Sequence, residues 1–84
     1  MYLHLGQDVV VRTADIVGIF DMETTTVSRA SRQFLADAEK GGRVVNVTYE
    51  LPKSYVVCTD ADGGETVYIS QISSATLLKR ADFV

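Results

Sequence analysis

Residues 24–41 are the only long stretch with helical periodicity in this chain, and short β-rich runs flank them on both sides. Val27, Ala30, Phe34, Leu35 and Ala38 fall on one stripe, while Arg29, Arg32, Gln33 and Lys40 fall opposite, the division that an amphipathic helix requires. A threonine among Thr24, Thr25 and Thr26 can cap the first amides. Lys40 suits the negative end of the helix dipole, and Gly41 can supply a left-handed stop. One such helix must lay its apolar stripe on a partner, and the β-rich segments offer a sheet.

Tyr2 to Leu5 alternates, with Leu3 and Leu5 on one face and Tyr2 and His4 on the other, and Gly6-Gln7-Asp8 has the composition of a turn. Val9-Val10-Val11 and residues 15–21 (DIVGIFD) read as two further strands separated by Arg12-Thr13-Ala14. Gly18 leaves a gap in the third strand, which marks a bulge or the close approach of another element. After the helix, residues 43–49 (RVVNVTY) return to β-type composition until Glu50-Leu51-Pro52, where proline has no amide hydrogen for a ladder. Residues 54–60 (SYVVCTD) and 65–71 (ETVYISQ) flank Ala61-Asp62-Gly63-Gly64, the clearest hairpin in the chain, with two glycines able to take positive φ. Ser73 or Ser74 can cap a last short helix running to Asp82, with Ala75, Leu77, Leu78 and Ala81 on its buried side.

The order β-β-β-α-β-β-β-α predicts an α+β fold: a small, mainly antiparallel sheet, one principal amphipathic helix across a face, and a short C-terminal helix. The 84 residues amount to 9.2 kDa and have room for one core, so residues 1–84 are expected to form a single domain.

Chemistry finds little foothold. Zinc needs clustered Cys and His, whereas this chain has one of each, Cys58 and His4, far apart in sequence. The segment 60–65 (DADGGE) resembles a calcium loop only superficially, because an EF-hand loop has twelve residues and a distal bidentate Glu. Cys58, mid-strand between Val57 and Thr59, reads as a small buried hydrophobe, and His4 as a strand-face residue. The glycines form neither a Walker nor a dinucleotide loop. The chain is therefore expected to be no enzyme and to carry no metal or cofactor. The opening MYLHLGQDVVVR has neither the basic start nor the apolar stretch of a signal peptide, and one cysteine makes no intrachain disulfide, so a reducing cytoplasmic setting is expected. Apolar runs of three or four residues fall far short of the ~20 needed to span a bilayer, so no membrane association is expected.

Charge is the most informative remaining feature. The whole chain carries −3, but positions 29–53 hold five basic and three acidic residues, and the rest is net −5. Arg29 and Arg32, at i and i+3, project from neighbouring points of the helix's polar face, and Lys40, Arg43 and Lys53 follow. On a lone subunit such a run is most simply a solvated face. Repeated by symmetry, the same positions would give many phosphate contacts.

The opening MYLHLGQDVVVRTADIVGIFD, the central PKSYVV and the ending SSATLLKRADF, in this order and spacing, resemble the RemA/RemB family of bacterial extracellular matrix regulatory proteins nearly end to end. The resemblance implies a small cytoplasmic regulator of biofilm matrix genes, with relatives acting as ring-shaped homo-oligomers that bind double-stranded DNA with little sequence preference. RemA-type members carry two consecutive arginines just after the Thr-Tyr that matches Thr48-Tyr49, and this chain has Glu50-Leu51-Pro52-Lys53 there. A further family arginine falls on Asp15. Neither basic site transfers, and Lys53 is the nearest surviving cation in that loop.

Lys53, Arg43, Arg29 and Arg32, with Arg12, are therefore the candidate DNA-binding residues, acting on phosphates rather than bases. No helix carries the Arg, Asn and Gln cluster of a recognition helix. The alternative is an oligomeric protein-interaction module that does not itself bind DNA and works with a RemA-like paralogue.

Overall fold

Alternation at the N-terminus produces β1 (Tyr2–Gly6), which pairs antiparallel with β2 (Val9–Arg12) in a computed structural model that describes residues 1–23 and 28–81. Leu3 and Leu5 are buried while Tyr2 and His4 are exposed, as the two-residue period of a strand dictates. A 3₁₀ turn over Thr13–Asp15 leads into β3 (Ile16–Asp21). Then come α1 (Arg29–Lys40), β4 (Val44–Asn46), β5 (Ser54–Thr59), β6 (Glu65–Ser70) and α2 (Ser74–Ala81). The fold is α+β with the expected element order.

The last four strands form one sheet in the order β3-β5-β6-β4, antiparallel except for the parallel pair β4–β6. Its centre is covered on both faces. Val56 and Cys58 of β5 face Leu3, Leu5, Val11, Val47, Leu77 and Ala81, which come from the β1–β2 hairpin, the segment after β4, and α2. Tyr55 and Val57 face the other way, packing with Val67, Ala38 and the half-buried Phe34 and Leu35 of α1. A strand covered on both sides has no solvated face to encode, which is why SYVVC reads as continuous burial rather than alternation.

Two serines fasten these layers. Ser54 and Ser70 are cross-strand partners, both fully buried. The Ser54 hydroxyl donates to the Ile72 carbonyl (2.6 Å), and the Ser70 hydroxyl donates to the Leu5 carbonyl (2.7 Å) while accepting from the Ile72 amide (3.0 Å). Buried hydroxyls need such partners, and here they tie the N-terminal hairpin and the approach to α2 onto the sheet.

The structure corrects several expectations. The β1–β2 hairpin forms a separate two-stranded sheet rather than joining the main one. β4 is three residues long, not seven: Val47 still donates to Ile69, but Thr48 turns inward and its hydroxyl accepts from the Glu50 amide (3.1 Å), a local bond that competes with a ladder. Ser28 caps α1 by accepting from the Ser31 amide (3.3 Å), and the expected caps Thr24, Thr25 and Thr26, with Val27, lie outside the described residues. Gly41 has φ −81, and it is Gly42 that takes the left-handed value, φ +69. Ala30, Ala75 and Leu78 are exposed rather than buried, because α1 and α2 each bury a stripe narrower than the apolar positions alone imply. Ser73 accepts from the Thr76 amide (3.2 Å) at the start of α2, and Asp82 lies outside the described residues. Among the described residues, no helix is long and apolar enough to cross a membrane.

Candidate nucleic-acid interface

Arg29 and Arg32 lie exposed in the first turn of α1 and have no ion-pair partner among the described residues. Helical geometry sets them one turn apart on one face. Their neighbours Ala30 and Ser31 line a groove together with Val17, Phe20 and Phe34 that also reaches Glu65.

Arg43 is held differently. The parallel register places Val44 opposite Val67, and the Arg43 carbonyl accepts from the Val67 amide (2.8 Å), so Arg43 enters the sheet beside the start of β6. There its Nη1 donates to Glu65 Oε1 at 2.8 Å, in a half-exposed ion pair. Arg12 has a weaker partner in Asp15, with Nε 3.7 Å from Oδ2. Both residues border a small cleft of about 230 Å³ with Cys58, Thr59, Thr66 and Tyr68.

Lys53 stands at the other end of the sheet. It immediately precedes Ser54, and Glu65 pairs with Thr59 six residues further along β5, a separation of about 20 Å at ~3.3 Å per residue. Its backbone is fixed by the Lys53 amide donating to Ser70 (2.9 Å) and by the Met22 amide donating to the Lys53 carbonyl (3.0 Å). The structure thus pairs Arg29 with Arg32 on one helix face, occupies Arg43 and Arg12 with carboxylates, and sets Lys53 apart. One subunit does not bring the five cations into a single patch.

The acidic hairpin tip between β5 and β6 is committed to its own turn. Asp60 Oδ1 accepts from the amides of Asp62 (2.9 Å) and Gly64 (2.8 Å), and Gly63 takes φ +80. No group of three or more His, Cys, Asp or Glu suited to a metal occurs among the described residues. His4 Nε2–H donates to the Gln7 carbonyl (2.6 Å). Cys58 is only 7% exposed, and burial, with the Asp15 charge adding, pushes its thiol up to about 11.

The sequence reading missed an apolar surface. Tyr49 and Leu51, in the connection from β4 to β5, are 102% and 82% exposed, and Val17 and Phe20 on the edge strand β3 are also open to solvent. The available signal was the run Tyr49-Glu50-Leu51-Pro52, two large apolar residues at a point where proline ends pairing.

Residues 2–81 match the family described as RemA-like, Extracellular matrix regulatory protein A-like. Over 84 residues the chain is 43% identical to Extracellular matrix regulatory protein B of Bacillus subtilis (strain 168), covering 100% of this chain and 94% of that protein.

Proposed function

The chain belongs to the RemA-like family of extracellular matrix regulatory proteins, and from that premise we propose that it regulates matrix genes without catalysis, as a cytoplasmic homo-oligomer whose repeated cations neutralise DNA phosphates. The observation that carries this reading is the Arg29–Arg32 pair, exposed on one helix face with no carboxylate partner among the described residues. A subunit of net charge −3 has little bulk attraction for DNA, so the effect rests on repetition of this pair around an assembly. Arg43 and Arg12 contribute less, because contact with phosphate must displace Glu65 or Asp15.

A mobility shift at low and moderate salt tests this reading. Replacing Arg29 and Arg32 with Glu is expected to weaken binding equally on unrelated sequences and to flatten the salt dependence by about two phosphate contacts per subunit engaged. Unchanged binding by the double variant refutes the assignment.

A second reading has its own support: Arg43 and Arg12 are already paired, and Lys53 is remote from both. In that case the protein is an oligomeric interaction module that leaves DNA to a RemA-like partner. It predicts absent or salt-insensitive DNA binding beside a tight protein complex.

A further inference from the structure

We propose that the groove between β3 and α1 is a binding site for a small arylalkyl amine, its ammonium held by Glu65 and its ring seated against Phe20 and Tyr55. None of the phosphate contacts proposed above takes part in this site.

The groove has a volume of about 310 Å³, at the lower end of the range that small-molecule sites occupy, about 300–1,000 Å³. Its lining is apolar over Val17, Phe20, Phe34, Tyr55 and Val57, and Glu65 is the only charged residue in it. An apolar hollow with one placed polar group is the pattern that fixes a small ligand's orientation. Strand register puts the acid and the rings at opposite ends. Glu65 pairs with Thr59, and Phe20 pairs with Tyr55 at the other end of β5, a separation of about 13 Å at ~3.3 Å per residue, with Val57 between them. At the ring end Phe20 stacks on Tyr55 with centroids 5.0 Å apart and is itself partly exposed, so its open side can take a further aromatic ring.

The sign of the charge selects the ligand. Arg43 Nη1 donates to Glu65 Oε1 at 2.8 Å, and Glu65 Oε2 accepts no hydrogen bond among the described residues. An ionised carboxylate accepts from more than one donor, so an ammonium group can join Glu65 without displacing Arg43. Arg43 is not in the lining, and Arg29 and Arg32 lie on the polar face of α1, away from the Ala30 and Phe34 wall. A carboxylate ligand would therefore meet Glu65 with no cation facing it. Side chains reach inward from both ends of the groove, which leaves room for an aromatic ring on a chain of a few carbons ending in an amine.

Calorimetric titration of the full chain with phenylbutylamine tests this. Saturable binding with a Kd of about 1 mM is expected, the affinity that a ligand of this size reaches in an open site. Phenylbutyrate, which has the same body and the opposite charge, is expected to bind at least about tenfold more weakly. Glu65→Gln should weaken the amine about fivefold. Val17→Lys, at a position 63% exposed, places a cation in the lining, and it should weaken the amine further while leaving phenylbutyrate binding equal or stronger. Absence of saturable heat, equal affinity for the two probes, or an amine affinity that both substitutions leave unchanged overturns the site. Light scattering in the same buffer identifies the competing occupant: release of 9.2 kDa subunits from an assembly on adding the amine would mean that a second copy fills the groove, and overturns the proposal.

Discussion

The ring of Phe20 lies directly over Gly18: a Cβ placed on Gly18 would come 2.6 Å from Phe20 Cε2 and Cζ, and the ring stacks on Tyr55 with centroids 5.0 Å apart and planes 18° from parallel. The glycine is the seat that lets an edge-strand phenylalanine fold back onto the sheet. Gly18→Ala is expected to displace Phe20 from Tyr55. The ring is partly exposed and can swing away, so the cost is mainly the lost stack, about 1 kcal/mol. Urea denaturation of Gly18→Ala, Phe20→Ala and the double variant checks this, with the double expected to be less destabilised than the sum of the singles.

Ser70 links the hairpin to the sheet through its bonds to Leu5 and Ile72. Ser70→Ala leaves the Leu5 carbonyl short of a donor and the Ile72 amide without its acceptor, in a site with no exposed surface. The expected loss is about 1–3 kcal/mol. Hydrogen exchange localises it: amides of β1 and β2 should lose more protection than those of β5.

Cys58 is held as a neutral thiol by burial, with Asp15 adding to the effect. A group whose folded pKa is raised contributes its stability below the unfolded pKa and loses it as pH climbs toward the folded value, here from about 9 to about 11. Tyr68, raised by burial and further by Cys58 and Asp15, adds to the alkaline loss. Native protein at pH 8 should resist a thiol reagent that reacts promptly in urea, and Cys58→Ala should reduce the fall in stability across this window.

Glu65 is the carboxylate that occupies Arg43. The pair is half exposed, so Glu65→Gln should change stability by less than about 1 kcal/mol. If the proposed DNA contact holds, the same substitution frees a cation, raises DNA affinity and steepens the salt dependence by about one contact per subunit engaged. Fluorescence anisotropy across a salt series measures both.

The order of elements was legible because strand alternation, the helical stripe and the glycine-bearing hairpin are local signals. Gly18 was legible as a gap, though not the identity of Phe20 as its occupant, since two residues of one strand meet there through side-chain rotation. The short β4 was hidden by RVVNVTY, whose composition continues past the point where Thr48 bonds to its own turn. Whether Gly41 or Gly42 takes the left-handed conformation depends on how the chain leaves α1 for a parallel pairing with β6, which adjacent glycines do not encode. The five cations were legible as residues but not as a surface. Their grouping depends on strand register, which puts Arg43 against Glu65 and leaves Lys53 at the far end of β5.

The parallel pairing of β4 with β6 also orders events in time. β5 and β6 meet through a short local connection, whereas β4 reaches β6 only after the chain has passed through the whole of β5, and it contributes three residues. Contacts that close longer loops for fewer bonds form later and open sooner. Breathing of the molecule should therefore begin at this margin. The amides of Val47 and Val67, which donate to Ile69 and Arg43, would exchange ahead of the central strands, and the Arg43 guanidinium would part from Glu65 during each such opening while the two-sided core around β5 stays closed.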